Sequence, residues 1–480
     1  MNEQWIRREL GTLYGGRVVR EVERINRLYE IYEGKGQDWQ TAEGLSYRPN
    51  KTVTNYVKKL IKAEARFFAS RAPEIRFVPR DGADAAACEE QNALLCRVLE
   101  DSRFQAKLIK AARDCFIGKR VALKLSGGPG EPLRVDFRPA QEFVFDTLED
   151  DAGALGKIIF FYQLAQERVD EYDRRKQRIW CQKYELRNGR CYLSQGLFDG
   201  NGTPMSDQNL TDWDTGLSFI PCTVILNDGL TGDVSGESDV EALISNQDTY
   251  NHMNSDDADA LRFNMFPMRY TVDASAQSAQ SLVIAPGAYA DLTTDPSCAD
   301  GRASIGILES QFNYDARLEN RLNRTKNDMH DLLSVPNVSL EQLRGLAQSG
   351  KGMRALYWEL RCRCEEKWAE GWDDALRWMA TAILTMAQAY RHMRPLPPEK
   401  YRVRVEHLYP IPEDEEEERA GDLREVTAGV RSRRSYLEKW HDGDAREELN
   451  QIDQDAARGK TEATTNGKAA MRPAGKETEP

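Results

Sequence analysis

The chain has 480 residues, 40% hydrophobic and 30% charged, enough for roughly two to four domain-sized units with a sizeable core. A formal net charge of −12 argues against a protein that simply coats DNA, because such binding comes from Lys and Arg neutralising phosphates. Met1-Asn2-Glu3-Gln4-Trp5 leads directly into a charged stretch and no run of about 18 apolar residues follows anywhere, so neither an export signal nor a membrane span is expected.

In chain order, apolar residues recur every three to four positions from about Glu3 to Glu33 around the Gly15-Gly16 break, which predicts a helix. Lys51 to Ala69 repeats the spacing through Val53, Val57, Leu60, Ile61, Ala65 and Phe68. Helices over about Asp84–Glu100 and Arg103–Ile117 complete a helical opening region. From Arg120 the period changes to two. Segments Arg120–Leu125, Leu133–Phe137, Phe143–Phe145, Lys157–Gln163, Arg178–Glu185, Arg190–Leu193 and Phe219–Leu226 read as strands, separated by turn signals such as Asn188-Gly189. No helices alternate with these strands, so an antiparallel α+β unit is expected instead of a doubly wound sheet.

Two long polar helices follow. The first, Ser238 to about Phe263, keeps only Tyr250 and Met253 as sizeable apolar residues between Ser245 and Asp257. The second, Phe312 to about Val335, carries a thin stripe of Leu318, Leu322, Met329 and Leu332. Helices polar nearly all round line solvated surfaces between neighbours or are unstable alone. At about 1.5 Å per residue each spans roughly 35 to 40 Å, a length suited to the wall of a ring or channel. Between them, Pro267–Leu308 reads as a small β-rich insert. One very long helix is predicted from about Met353 to Arg391, with a broad aromatic stripe that includes Trp368 and Trp372. A β-like Tyr401–His407, the acidic run Glu413–Glu418 and a last helical stretch precede the tail from Asp455, which is too poor in large apolar residues to order itself.

Several features mimic catalytic motifs. Gly345-Leu346-Ala347-Gln348-Ser349-Gly350-Lys351 fits the first seven positions of a phosphate-binding loop, but Gly352 stands where Ser or Thr would hold Mg²⁺, and no buried strand precedes it. A flexible loop joining two helices explains it better. His252, His330, His392, His407 and His441 sit in five elements without metal-binding spacing, and no G-x-S-x-G elbow occurs. Asp256, Asp257 and Asp259 would suit Mg²⁺ in a nuclease, although close acids on a helix are more often a solvated face. The nine cysteines are scattered, and Cys362 and Cys364 point to different helix faces, so free thiols are expected rather than a zinc site. No cofactor is expected. The competing reading is a nucleotide hydrolase or a metal-dependent nuclease acting on DNA.

The order of parts resembles the portal proteins of tailed double-stranded DNA phages. The likeness is carried by Tyr29-Glu30-Ile31-Tyr32-Glu33-Gly34, by Asn55-Tyr56-Val57-Lys58-Lys59-Leu60-Ile61 and by Ala69-Ser70-Arg71-Ala72-Pro73-Glu74-Ile75. It continues in Gly236-Glu237-Ser238-Asp239-Val240-Glu241-Ala242-Leu243 and in Ser349-Gly350-Lys351-Gly352-Met353-Arg354-Ala355-Leu356. The resemblance implies a mainly helical α+β subunit with wing, stem, clip and crown regions, and a ring of about twelve copies. By similarity, 1–235 is the first part of the wing, 236–266 and 309–334 the two stem helices, 267–308 the clip, and 335–352 the tunnel loop. The long wing helix is 353–400, the crown 401–454, and 455–480 a disordered tail. Implied site residues are Gln348, Ser349 and Lys351 facing DNA in the bore, Leu318, Leu322 and Met329 packing the stem, and Ser275, Gln277 and Ser278 docking a motor. Implied partners are further copies of the chain, the terminase large subunit, scaffold and major capsid proteins, a head-completion or adaptor protein, and the DNA that passes through, with no membrane. The implied location is the capsid vertex, with assembly in the host cytoplasm. On physical grounds, Gly345, Gly350 and Gly352 give the loop backbone freedom to shift.

Overall fold

The computed structural model describes residues 16–39, 47–80, 85–148, 151, 153–164, 178–199, 204–205, 209–230, 232–265, 268–280, 292–297, 301–308, 314–338, 350–390, 401–410, 415–440 and 448–452. The chain forms two compact units, one of Met1–Asn337 with Tyr357–Pro410, the other of Val338–Leu356 with Ile411–Pro480.

The first unit opens with helices α1 (Gly16–Tyr32) and α2 (Tyr56–Phe68). The side chain of Asn55 caps α2 by accepting the Lys58 N–H at 2.8 Å, one of the orphan donors at a helix start. Strand β1 (Glu74–Pro79) and helices α3 (Ala85–Asp101) and α4 (Phe104–Gly118) follow. A left-handed Lys119, φ 72°, ends α4 and turns the chain into β2 (Arg120–Gly128). Strands β3 (Glu131–Pro139), β4 (Phe143–Thr147), β5 (Leu155–Gln163), β6 (Arg178–Arg187), β7 (Arg190–Asp199), β8 (Leu210–Asp214) and β9 (Cys222–Leu226) complete the β-rich part.

These strands form two antiparallel sheets, of order β3-β2-β9 and β4-β5-β6-β7-β8. Asn188 and Gly189 join β6 to β7 with φ of 51° and 72°, the double positive-φ turn that matches strand twist. On the larger sheet Val144, Ile159, Phe161 and Ile179 bury one face against Val22 of α1. The strand period therefore reads directly as a buried face.

Two long helices, α5 (Asp239–Met265) and α7 (Asp315–Leu332), flank a two-stranded ribbon of β10 (Met268–Val272) and β11 (Ser304–Leu308), with the short α6 (Ala276–Gln280) between the strands. At the C-terminal side of the unit, α9 (Trp358–Lys367) and α10 (Asp373–Ala389) are joined by a π-turn over Trp368–Trp372, where the Asp373 N–H reaches Trp368 O. Strand β12 (Tyr401–Glu406) pairs antiparallel with β1, Glu74 opposite Glu406 and Pro79 opposite Tyr401.

The main core lies where α2, α4 and the π-turn meet. Phe68 stacks on Trp368 with ring centroids 4.1 Å apart and meets Phe116 and Trp372 edge-on, each at 5.4 Å. Trp372, Phe68, Phe116, Leu60 and Ile61 are all fully buried. The aromatic stripe expected here is present: Leu360, Trp368, Trp372, Leu376, Met379, Ile383, Leu384 and Met386 are buried. Its helix is not one uninterrupted rod. A turn at Tyr357 separates it from α8 (Gly350–Leu356), which belongs to the second unit, and the π-turn carries both tryptophans toward the core.

Within the second unit, α11 (Glu415–Thr427) and α12 (Arg433–Trp440) are tied by one carboxylate. Asp422 pairs with Arg431 and accepts from Lys439 Nζ at 2.9 Å and Trp440 Nε1 at 2.7 Å. Lys439 and Trp440 hold this carboxyl below its ordinary range.

Candidate functional site

The long helix α5 starts at a tightly built corner. Ser238 precedes it, accepting the Val240 N–H at 3.2 Å and donating to Ile117 O at 2.7 Å. Gly236 has φ of 74°, and a Cβ there would lie 2.4 Å from the Lys119 carbonyl oxygen, so only glycine lets the chain pass. At the first residue of the helix, Asp239 receives Arg363 Nη2 at 2.6 Å and Lys367 Nζ at 2.8 Å, both from α9. Arg363 Nε also donates to Glu64 of α2 at 2.8 Å, and Lys367 reaches Asn227 Oδ1 at 2.7 Å. Two carboxylates and two cations thus close a buried, charge-balanced clamp between α2, α5 and α9. Burial of Lys367 opposes its charge, but Asp239 and Glu64 more than offset this and keep the ammonium above its usual range. Burial pushes the Glu64 carboxyl up, and the nearby Asp239 adds to the effect.

Beyond the corner, every fourth residue of α5 is buried: Asp239, Leu243, Gln247, Asn251, Ser255 and Asp259. The last four grip the chain between Asn50 and Val57. Asp259 Oδ2 accepts the Asn50 N–H at 2.9 Å, Ser255 Oγ the Thr52 N–H at 3.0 Å and Asn251 Oδ1 the Thr54 N–H at 3.0 Å. Gln247 Oε1 takes both the Tyr56 and Val57 N–H groups, at 2.8 and 3.2 Å, while its Nε2 donates to Thr54 O at 2.8 Å. The match is metric: four helical residues rise about 6 Å and two extended residues span about 6.6 to 7.2 Å. This strap answers the backbone donors that burial would otherwise orphan.

The strap corrects two expectations. The polar middle of α5 is buried inside its own subunit by hydrogen bonding, so polarity there does not mark a face left for solvent. The predicted helix from Lys51 starts only at Tyr56, because the N–H groups of Asn50, Thr52 and Thr54 are already held by α5. The four-residue recurrence of Gln, Asn, Ser and Asp was the available signal; those side chains are short and bond backbone readily.

Helix α7 packs along α5, with Tyr314 beside Asp257 at one end and His330 beside Lys59 of α2 at the other. Met329 is fully buried on this helix and Leu318 and Leu322 are half-buried. Thr325 and His330 are buried with them, whereas Leu332 is exposed. His330 Nδ1 lies 3.0 Å from Val335 O, anchoring the chain as it leaves α7. Burial holds this imidazole below its ordinary pKa.

The ribbon at the far end of the two helices exposes Tyr270, Val272, Ile305 and Ile307, continuous in sequence with exposed Leu261, Phe263 and Met265 at the end of α5. Gly306 makes room for the Tyr270 ring, which a Cβ would meet at 2.4 Å. Ser275 is half-exposed, its hydroxyl 2.8 Å from that of Thr293 and its N–H donating to Thr293 O at 2.8 Å. Gln277 is exposed on α6, and Ser278 sits on the same helix with its side chain outside the described residues. Gln348 and Ser349 lie outside the described residues. Lys351 belongs to α8, so the helix starts inside the stretch expected to be loop, and its side chain too lies outside them.

Of the acidic trio, Asp259 is committed to Asn50, Asp256 is exposed and Asp257 half-exposed. No three His, Cys, Asp or Glu side chains among the described residues group closely enough to share a metal ion. No helix among those residues is long and apolar enough to cross a membrane.

No curated protein matches the chain. Residues 17–462 match the family described as phage portal protein, SPP1 Gp6-like. Because that match spans nearly the whole sequence, the chain belongs to the phage portal protein family, structural proteins of the capsid that serve DNA packaging and the head-tail connection.

Proposed function

We propose that this protein forms a closed ring at the unique capsid vertex, through which double-stranded DNA is packaged and later ejected. The observation that carries the reading is the α5–α7 pair with its ribbon. A two-stranded ribbon is marginal in water by itself, and this one exposes four large apolar side chains beside three more on α5. Such a tip suits a place where copies and partners cover it. In this reading α5 and α7 are the stem, with Leu318, Leu322 and Met329 packing it. The ribbon and α6 are the clip, whose Ser275, Gln277 and Ser278 face the terminase motor during packaging and an adaptor protein afterwards. Residues 335–352 approach the bore through Gln348, Ser349 and Lys351, and residues 401–454 supply the crown. Assembly takes place in the host cytoplasm with scaffold and major capsid proteins.

Negative-stain microscopy with a mass measurement tests the assembly. The expected particle is a ring of several hundred kilodaltons, on the order of twelve copies, with a central hole. Leu318→Asp should leave a folded monomer that forms no ring. A wild-type protein that stays monomeric and hydrolyses ATP would overturn the reading in favour of an enzyme.

A further inference from the structure

Helix α7 carries three arginines, Arg317, Arg321 and Arg324, at intervals of four and three residues. That spacing aligns them on one helix face. All three are exposed, and none has a carboxylate partner within salt-bridge distance among the described residues. The face that packs on α5 holds Leu318, Leu322, Thr325 and Met329, about a third of a turn away, so the guanidinium groups look away from that contact. Asp328 and Asp331 continue the face toward the C-terminus, which confines the basic row to the first half of the helix.

Like charges three and four residues apart destabilise a helix. Asp328, four residues beyond Arg324, offsets part of that cost, but Arg317 and Arg321 have no carboxylate three or four residues away, in a chain whose net charge is −12. The partner is therefore sought outside the subunit. A neighbouring copy's α5 is the weaker match: Asp256 is exposed and Asp257 and Asp248 half-exposed, while Asp239, Glu241 and Asp259 are already held within their own subunit. A duplex backbone is a good one. From Arg317 to Arg324 the helix rises about 10.5 Å, the axial distance of about three phosphates at roughly 3.4 Å per strand. Guanidinium also binds phosphate oxygens in pairs.

We infer that Arg317, Arg321 and Arg324 form a phosphate-contacting row on the stem, which touches the backbone of the DNA passing the ring. The inference rests on the ring-conduit reading and refines it: the wall of the conduit carries a narrow basic band. Contacts of this kind are independent of base sequence and weak enough to let DNA slide.

The test uses the full-length assembled protein and a duplex of about 30 base pairs, with affinity followed by fluorescence anisotropy across a salt series. The R317Q/R321Q/R324Q variant is expected to keep the wild-type particle size and helix content. It should lose at least about tenfold in affinity at low salt, with a slope of log K against log salt shallower by about 0.9 for each contact removed. R317K/R321K/R324K should recover most of the affinity, since Lys also binds phosphate as a point charge. Unchanged affinity and slope in the Gln variant would overturn the row. So would a folded Gln variant that no longer assembles, which would assign the arginines to a neighbouring copy. Wild-type rings with no affinity for the duplex would overturn the row and leave the portal reading standing, whereas wild-type protein that forms no ring would remove both.

Discussion

The aromatic core and the strap interface of α5 bury their residues equally well but by different means. Around Trp372 the fit is one of volume: Phe68, Phe116, Phe137 and Trp368 fill space against each other with no directional bond required between them. Along α5 the fit is one of direction. Gln247, Asn251, Ser255 and Asp259 contribute little apolar area, yet each answers a named backbone group. A core of the first kind tolerates shape-conserving exchange. An interface of the second kind tolerates almost no change that removes an acceptor, because the stranded N–H then bears the full cost of desolvation.

The largest effect is expected for Trp372→Ala, which opens a cavity at a fully buried site and should cost about 3–5 kcal/mol in chemical denaturation. Trp372→Phe should recover a large part of that loss. If the two substitutions were equally harmful, the volume argument would fail. Next comes Gln247→Leu, close to neutral in volume but leaving the Val57 N–H without a partner and the Tyr56 N–H and Thr54 O with only each other, 2.9 Å apart. The expected cost is about 2–4 kcal/mol, with faster amide exchange at Tyr56 and Val57; a loss below about 0.5 kcal/mol would mean that the strap behaves like an ordinary core.

A third test places a charge in the apolar setting. Asp114 lies beside Tyr29, whose hydroxyl donates to it at 3.2 Å, and burial pushes its carboxyl up to about 6 from 3.8. Because the folded value is the higher one, the associated stability is complete below about pH 3.8 and is lost as pH rises through about 6. Asp114→Asn has no such loss. It should match wild type near pH 4 and exceed it by about 3 kcal/mol above pH 7, read from denaturation midpoints across pH; a gain independent of pH would rule out the titration as its cause. The smallest effect is expected for Ser255→Ala, which removes one acceptor near the end of the strap and should cost about 0.5–1.5 kcal/mol, seen most clearly as increased exchange at Thr52.

Much of the fold was legible where one period ran long enough. The strands from Arg120 to Leu226, the turn at Asn188-Gly189 and the two long polar helices follow from spacing alone, and the ends shift by a few residues where caps such as Asn55 and Ser238 decide them. Other features depend on partners remote in sequence. Strand β1 is defined by pairing with β12 from the opposite end of the first unit, and β8 has a polar, Trp-bearing sequence that joins the sheet through β7. At the candidate site the apolar stripe of Leu318, Leu322 and Met329 was visible, and Leu332 belonged to it only by period. The meaning of the polar recurrence in α5 was hidden for a specific reason. Side chains that bond backbone look the same in sequence as side chains that bond water, and only the position of Asn50–Val57 separates the two.

The strap and helix act as two rulers with unequal divisions. Each step along them leaves a mismatch of roughly 0.6–1.2 Å and turns the next helical side chain by about 40°. Over the three steps from Asp259 to Gln247 the strap must wind about 120° around the helix, so the coincidence works like a vernier that stays aligned over only a few marks. A one-residue insertion between Thr52 and Thr54 would turn the following N–H groups away and silence every later mark at once. Length in this segment is therefore held more strictly than composition, since the side chains of Lys51 and Val53 point to solvent while the number of residues between the gripped amides cannot vary.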